Sequence, residues 1–145
     1  MPEDVVQAAA FVDEAGRRLE GAHTYRLRFA PHEQPPVRAF WSLTAYDERG
    51  WVVPNAIDRY ALGSQDALER APDGSLELTI QHAPPKEGPA ANWLPCPAGQ
   101  FNLWLRLYRP EPEALDDTWI PPPLRRRGDD PVPSRTRALE ASPAV

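Results

Sequence analysis

The chain has 145 residues, enough for one domain with a hydrophobic core, and its 41% apolar and 26% charged content is ordinary for a soluble globular protein. Its 19 prolines argue against a helix-rich fold, because proline is excluded from helix interiors and central strands. The formal net charge of -5 argues against nucleic acid as a partner, because binding to phosphate backbones needs clustered Lys and Arg.

Cysteine content and hydropathy indicate the compartment. The single cysteine, Cys96, excludes an intrachain disulfide and a thiolate-rich zinc site. No apolar run approaches the roughly 20 residues that a membrane helix requires, and residues 1–4 are acidic where a signal peptide is basic. We therefore expect a soluble, cytoplasmic protein with no membrane partner and no cofactor.

The first half of the chain contains two clear strand patterns. Residues 5–11 are apolar but short, so their pattern leaves helix and strand undecided. Residues 23–29 alternate between apolar and polar side chains, which predicts a half-buried strand. Residues 37–46 are apolar on both faces, which is typical of a strand buried on both sides. We expect this last strand at the centre of a sheet.

The middle of the chain is rich in turn signals. Residues 47–50 end in Gly50 and predict a hairpin turn, with residues 51–53 as the return strand. Residues 64–70 predict one or two helical turns, capped by Ser64. After a further turn, residues 76–81 alternate as a strand.

The strongest strand pattern covers residues 101–108. Successive side chains of a strand point to opposite faces, so one face here is a core and the other is aromatic and polar. The core face comprises Phe101, Leu103, Leu105 and Leu107, and the other face comprises Asn102, Trp104, Arg106 and Tyr108. The second face is too aromatic for an ordinary solvent-exposed surface. This indicates that a partner sheet, a ligand or another subunit packs against it.

These patterns predict an all-β fold, an antiparallel two-layer β-sandwich of jelly-roll type with one short helix near residues 64–70. Residues 1–124 form the single sandwich domain in this prediction. Residues 125–145 have almost no apolar mass and are predicted to be a disordered tail. The arginines at the start of this tail are followed closely by two aspartates, so the run is only a weak indication of binding to nucleic acid or a membrane.

Several motifs resemble one known family over residues 13–124. They are, in chain order, Phe40-Trp41-Ser42-Leu43-Thr44, Asn55 with Arg59-Tyr60, Asp73-Gly74-Ser75-Leu76, Asn92-Trp93-Leu94-Pro95, Phe101 with Leu105-Arg106-Leu107-Tyr108, and Trp119 with Pro121-Pro122. The chain resembles the domain of unknown function numbered 1214. The resemblance implies a β-sandwich of jelly-roll type and no established reaction. In larger members that domain follows a companion, the domain of unknown function 1254, which these 145 residues do not include.

Two candidate sites surround the strand at residues 101–108. Asn92 and Trp93 lie on a loop stiffened by prolines, where an amide and an indole could bind a sugar or a substrate carbonyl, or could instead fasten the loop. Arg106 could hold an anionic ligand, could pair internally with Asp47, Asp58 or Asp73, or could stack on Trp104. The pattern leaves these alternatives open.

A third candidate cluster lies in the irregular segment after Pro54. Asn55, Arg59 and Tyr60 could bind a polar ligand, since loops often carry function. They could equally cap a turn and pack an arginine against an aromatic ring. The sequence does not separate these interpretations.

The thiol and the histidines give weak signals. Cys96 could act as a nucleophile only beside a base, and His82 is the nearest histidine along the chain. No third group is evident to orient such a pair, so we interpret Cys96 as a passive apolar side chain. The histidines lack the spacing of metal ligands, so no metal site is predicted.

We therefore predict a non-catalytic binding or assembly module. An aromatic face around Trp41, Trp104 and Tyr108 would bury against a partner domain or a second copy of the chain. The alternative is a hydrolase or carbohydrate-binding protein with a small polar ligand. That alternative requires Asn92, Trp93, Arg106 and the cluster after Pro54 to converge on one open pocket.

Overall fold

The computed structural model describes residues 5–55, 57–86, 88–116 and 118–128. Within these ranges the chain forms eight strands, one short α-helix and one 3-10 turn. The elements are β1 Val5–Ala10, β2 Tyr25–Phe29, β3 Val37–Asp47, β4 Ala61–Gly63, β5 Leu76–Gln81, the 3-10 turn Ala90–Asn92, β6 Trp93–Pro95, β7 Phe101–Pro110, α1 Pro112–Leu115 and β8 Arg125–Arg126. No helix in these ranges is long and apolar enough to cross a membrane.

The described strands form two sheets of four. The first sheet has the order β1-β7-β3-β4, and the second has the order β6-β5-β2-β8. Strand pairing is antiparallel in both sheets except between β5 and β6, which are parallel. The predicted all-β, two-layer sandwich is therefore confirmed.

The core lies between the two sheets. The inward face of β7 is buried as the alternation predicts, with Phe101 wholly inaccessible to solvent. Aromatic rings connect the layers: Tyr25 of the second sheet contacts Phe101 edge-on at 5.7 Å between ring centroids, and Phe29 packs against Trp41 at 5.5 Å. Trp41 is thus a core residue, only 3% exposed, and the prediction that it belongs to the outer aromatic face is wrong.

The apolar segment that the sequence leaves undecided is strand β1. It pairs with β7 over its whole length, from Val5 opposite Tyr108 to Ala10 opposite Leu103. The predicted strand at residues 37–46 is β3, and it lies between β7 and β4 inside the first sheet. Tertiary pairing, which short-range pattern does not encode, decides the conformation of β1.

The predicted hairpin after β3 forms its turn but not its return strand. Gly50 has a φ of 87° and closes the turn, and the Asp47 carboxylate accepts hydrogen bonds from the backbone of Arg49 and Trp51. Residues 51–53 then leave the sheet, because Pro54 cannot donate to a ladder. Strand β4 takes the place beside β3 instead.

The predicted helix at residues 64–70 is wrong; the segment is a turn followed by irregular chain. The groups that would start the helix have other partners. Ser64 Oγ accepts a hydrogen bond from the Trp41 backbone at 2.9 Å, and Asp66 Oδ2 accepts one from Gly63 at 2.8 Å. The short α-helix lies at Pro112–Leu115.

The sandwich extends past the predicted boundary at residue 124. Arg125 and Arg126 form strand β8, which pairs with Arg26 and Tyr25 of β2. These two arginines therefore belong to the second sheet rather than to the tail. The remainder of the predicted tail, from residue 129 onward, lies outside the described residues.

Candidate functional site

Four of the predicted site residues line one pocket, which we call the loop pocket. Asn55, Arg59, Tyr60 and Trp93 surround a cavity of about 320 Å³ between the loop after β3, the loop after β5 and strand β6. The other lining residues are mostly small or proline and make rigid apolar walls: Ala45, Val53, Pro54, His82, Ala83, Pro84, Pro95, Cys96 and Pro97.

Arg59 joins the two sides of the loop pocket. One guanidinium nitrogen, Nη1, donates to the carbonyls of Ala90 and Trp93, both at 2.9 Å. The side-chain amide of Asn55 shapes the same loop, since it donates to the Arg59 carbonyl at 2.8 Å and accepts from the Arg59 backbone at 3.0 Å. Among the described residues the groups that accept hydrogen bonds from the Arg59 guanidinium are backbone carbonyls rather than a carboxylate.

The remaining polar groups of the loop pocket are also engaged. Trp93 Nε1 donates to the Gln81 carbonyl at 2.9 Å, which fixes the ring as a wall. Tyr60 donates to Asp58 Oδ1 at 3.3 Å. The pKa of Tyr60 lies above its ordinary value because its hydroxyl is desolvated and lies beside that carboxylate.

Cys96 lines the loop pocket as a buried side chain. Its side chain is 5% exposed, and burial raises the pKa of the thiol to about 12. His82 directs Nδ1 at the Cys96 backbone carbonyl, 2.8 Å away, and this contact anchors the loop. The interpretation of Cys96 as a passive apolar side chain agrees with this geometry. The described residues also contain no group of three His, Cys, Asp or Glu side chains that could hold a metal ion.

Asn92 lies outside the loop pocket. Its side chain is 2% exposed and makes three hydrogen bonds with backbone atoms: it accepts from Glu69 N at 2.9 Å and donates to the carbonyls of Glu69 and Glu77 at 2.8 and 2.9 Å. Asn92 therefore fastens an irregular segment to strand β5. Of the two interpretations that the sequence left open for Asn92, these contacts support the one in which it fastens the loop, not the one in which it binds a ligand.

Arg106 lies on the outer side of the first sheet, away from the loop pocket. Its guanidinium donates to Gln7 Oε1 at 3.2 Å and to the Tyr46 hydroxyl at 3.1 Å. It also lies over the rings of Tyr46 and Trp104, 5.7 Å from each centroid. The stacking alternative is confirmed, and the predicted pairing with an aspartate is wrong.

The outer side of the first sheet carries a surface that we call the aromatic face, made of Phe40, Tyr46, Trp104, Arg106 and Tyr108. Phe40 and Tyr108 lie opposite each other on β3 and β7 and stack at 4.4 Å. All five side chains are half-buried on this side of the sheet. The pattern of β3 contained the signal for Phe40 and Tyr46, since they share the parity opposite to the core residue Trp41.

The fold and these surfaces define an all-β sandwich domain with the loop pocket and the aromatic face. The chain belongs to the family described as "Protein of unknown function (DUF1214)", whose family model matches residues 4–112. This finding confirms the resemblance seen in the sequence motifs. Comparison with curated proteins gives no match.

Solved structures that are similar to this chain include the following two. The VPA0106 protein from Vibrio parahaemolyticus is 23% identical with a TM-score of 0.76, over 86% of this chain and 31% of that one. An uncharacterised protein from Burkholderia cenocepacia is 19% identical with a TM-score of 0.51, over 97% of this chain and 35% of that one. At these identities the likeness concerns the fold. The chain spans about a third of the length of either protein.

Proposed function

We propose that this domain is a non-catalytic docking module whose aromatic face binds a companion protein domain. The observation that carries the proposal is the row of half-buried aromatic and arginine side chains on the outer side of the first sheet, made of Phe40, Tyr46, Trp104, Arg106 and Tyr108. Aromatic residues and arginine are the types most enriched in the energetically dominant centres of protein interfaces. A monomeric domain has little reason to gather them on one sheet face.

The charge of Arg106 indicates the chemistry of the partner. Among the described residues its hydrogen bonds reach only neutral groups, an amide and a phenol, so the cation is held in place but not neutralised. An apolar partner surface that presents one carboxylate would complete a charge-assisted pair there. A two-fold contact between copies of this chain, centred on the face, would instead bring two Arg106 side chains together, which is unfavourable.

The length of the relatives supports a domain as the occupant. The two similar solved structures have about two thirds of their chains outside the region that matches. We propose that the occupant is a companion of the kind called domain of unknown function 1254. We also propose a cytoplasmic location, supported by the buried free thiol of Cys96, which a reducing compartment preserves.

Site-specific photo-crosslinking in the source cells tests the docking proposal. A photoreactive phenylalanine analogue in place of Phe40 should form adducts with a polypeptide that mass spectrometry identifies as carrying the companion domain. The matched control is the same analogue in place of Trp51, an aromatic residue that is 67% exposed and is not part of the face. Adducts only with a second copy, no adducts, or equal adducts at both positions would refute the companion-domain proposal.

The loop pocket supports a second candidate function, binding of a small polar ligand such as a sugar. The observation in its favour is that residues distant in sequence, Tyr60, His82 and Trp93, converge on one cavity of a size that suits a small molecule. Asn92 and Arg106 are not part of it, so the hydrolase alternative loses two of its predicted groups.

Ligand-observed NMR with a panel of mono- and disaccharides tests the second candidate. We expect saturation transfer to at least one sugar, weakened by Tyr60→Ala or His82→Ala and unchanged by Gln100→Ala, an exposed polar control outside the pocket. If no sugar binds, or if all three variants behave alike, sugar binding is not the role of the pocket.

A further inference from the structure

The loop pocket contains a guanidinium whose hydrogen-bonding capacity is only partly used. Arg59 uses a single nitrogen, Nη1, to bind the carbonyls of Ala90 and Trp93. Within the described ranges its Nε and Nη2 have no acceptor, and neither atom is fully buried. An arginine has five N–H donors, so those on Nε and Nη2 remain for a ligand.

The charge of Arg59 also remains available to an anion. Of the described residues that line the loop pocket, none is acidic. The nearest acid along the chain, Asp58, lies at an exposed position outside this lining and accepts a hydrogen bond from the Tyr60 hydroxyl at 3.3 Å. An anion in the pocket would therefore face Arg59 without a carboxylate of the described lining beside it.

Arg59 is held in place before any ligand arrives. The carbonyls of Ala90 and Trp93 fix Nη1, and the Asn55 side chain binds both the N–H and the carbonyl of the Arg59 backbone. A fixed side chain loses little conformational freedom on binding, and the planar guanidinium fork matches the two oxygens of a carboxylate. The restraint on Arg59 therefore favours a ligand that carries a carboxylate.

His82 and Trp93 indicate the remainder of the ligand. The carbonyl of Cys96 can only accept a hydrogen bond, so the His82 Nδ1 that lies 2.8 Å away carries the ring proton. In the neutral imidazole this leaves Nε2 as an acceptor, which suits a hydroxyl group. The indole of Trp93, fixed by its hydrogen bond to the Gln81 carbonyl, provides a flat apolar wall for the C–H face of a sugar ring.

We propose that the loop pocket binds an acidic monosaccharide, with its carboxylate on Arg59 and a ring hydroxyl on His82. This inference rests on the second candidate function, sugar binding, and names the class of sugar. The cavity of about 320 Å³ suits a single sugar ring. A phosphate dianion is a poorer match, since Arg59 is the only permanently charged group among the described residues of the lining.

Amide NMR titration at low salt tests the inference on the unmodified protein with two matched pairs of probes. Glucuronate is compared with glucose, and galacturonate with galactose. We expect at least one acidic sugar to bind tenfold or more tightly than its neutral counterpart, as a charge-assisted bidentate pair provides. Its affinity should fall as salt increases. Benzoate, which has the carboxylate but no hydroxyl, should bind more weakly than that sugar.

Arg59→Lys keeps the positive charge but removes the fork, so it should weaken binding of the acidic sugar roughly tenfold. The matched control is Arg38→Lys, at an exposed arginine of β3 that pairs with Glu111 at 3.2 Å and is not part of the pocket lining. It should leave the affinity unchanged. The spectra verify that each variant is folded, and the shifts caused by the ligand should be concentrated on the residues that line the pocket.

The outcomes separate this inference from the second candidate function. If acidic and neutral sugars bind equally, or if the two lysine variants behave alike, the carboxylate assignment is overturned while sugar binding stands. If benzoate binds more tightly than both acidic sugars, the ligand is not a sugar. If no probe binds, both proposals fail. The comparison of probes needs no variant, so it remains decisive if Arg59→Lys does not fold.

Discussion

Asn92 is the polar side chain on which the packing of several backbone segments depends. Its three hydrogen bonds go to the backbone of Glu69 and Glu77, and its side chain is almost wholly buried. Removing a buried partner leaves the other groups without hydrogen bonds, and each such group costs about 1–3 kcal/mol. The residue therefore contributes to stability rather than to a site.

Asn92→Ala should lower the free energy of unfolding by about 3 kcal/mol, because three backbone groups lose their partner at once. Urea denaturation followed by tryptophan fluorescence measures the change. Gln100→Ala, at an exposed position, should stay within about 0.5 kcal/mol of the unmodified protein. Equal stability of the two variants would show that Asn92 does not fasten these segments.

Cys96 should be unreactive in the folded protein. Burial raises the pKa of its thiol to about 12, from an ordinary value of 9.0, so thiolate is scarce at neutral pH. A disulfide reagent that reports thiol release by absorbance should react slowly with the native chain and rapidly in denaturant. Rapid reaction of the native chain would mean that the thiol is accessible.

The same shift predicts a pH dependence of stability. The folded state favours the neutral thiol, so this contribution is fully present below about pH 9 and is lost as pH rises toward 12. Over that interval the free energy of unfolding should fall more steeply for the unmodified protein than for Cys96→Ala. Parallel pH profiles would contradict the assignment, since other titrating groups are common to both proteins.

At the scale of elements, the contact between β3 and β4 depends on a glycine. A Cβ on Gly63 would lie 2.2 Å from the Trp41 carbonyl oxygen, a backbone atom that cannot move aside. Gly63→Ala should therefore cost about 3 kcal/mol or more of folding stability. Gly99→Ala is the matched control, because its added Cβ meets nothing within 4 Å. Thermal unfolding compares the two, and similar melting temperatures would contradict the close approach.

The two faces of the first sheet should respond differently to loss of a tryptophan. Trp41→Ala removes a buried ring and should cost about 3–5 kcal/mol. Trp104→Ala removes a half-buried ring from the aromatic face and should cost less than half as much. Urea denaturation measures both. Equal losses would mean that Trp104 serves the stability of the sandwich rather than docking.

Strands with strict alternation were predictable, because a sheet with one buried face imposes a period of two on the sequence. This holds for β2, β5 and β7. The conformations of the segment after the hairpin turn and of residues 64–70 were not predictable in this way. Both depend on contacts with residues that are distant in the sequence. Ser64, predicted to cap that helix, instead accepts a hydrogen bond from the backbone of Trp41. Local propensity is a weak guide where such contacts compete.

At the scale of the whole molecule, topology assembles surfaces that sequence order conceals. Arg59 reaches carbonyls 31 and 34 residues further along the chain, so the loop pocket could be predicted only as separate fragments. Arginines of β2 and β8 become neighbours because β8 pairs with β2, a register that no short-range pattern contains. The sequence therefore identified candidate site residues by their type, whereas only the fold shows which of them lie together.

The sandwich presents different chemistry on its two outer sides. The first sheet carries the aromatic face with Arg106, and β2 of the second sheet directs Arg26 and Arg28 outward. The loop pocket, lined by segments of both sheets, is a separate small cavity.

The accessible surface of the equivalent face in a longer relative tests the docking proposal most directly. In the solved Vibrio protein, the strands that superpose on β1, β3 and β7 can be measured with and without the remainder of that chain. We predict that the remainder buries the outer side of these strands in an interface of about 600–1,500 Å², the range of contacts between domains of one chain. Strands left open to solvent, or covered only by a second copy, would contradict the proposal.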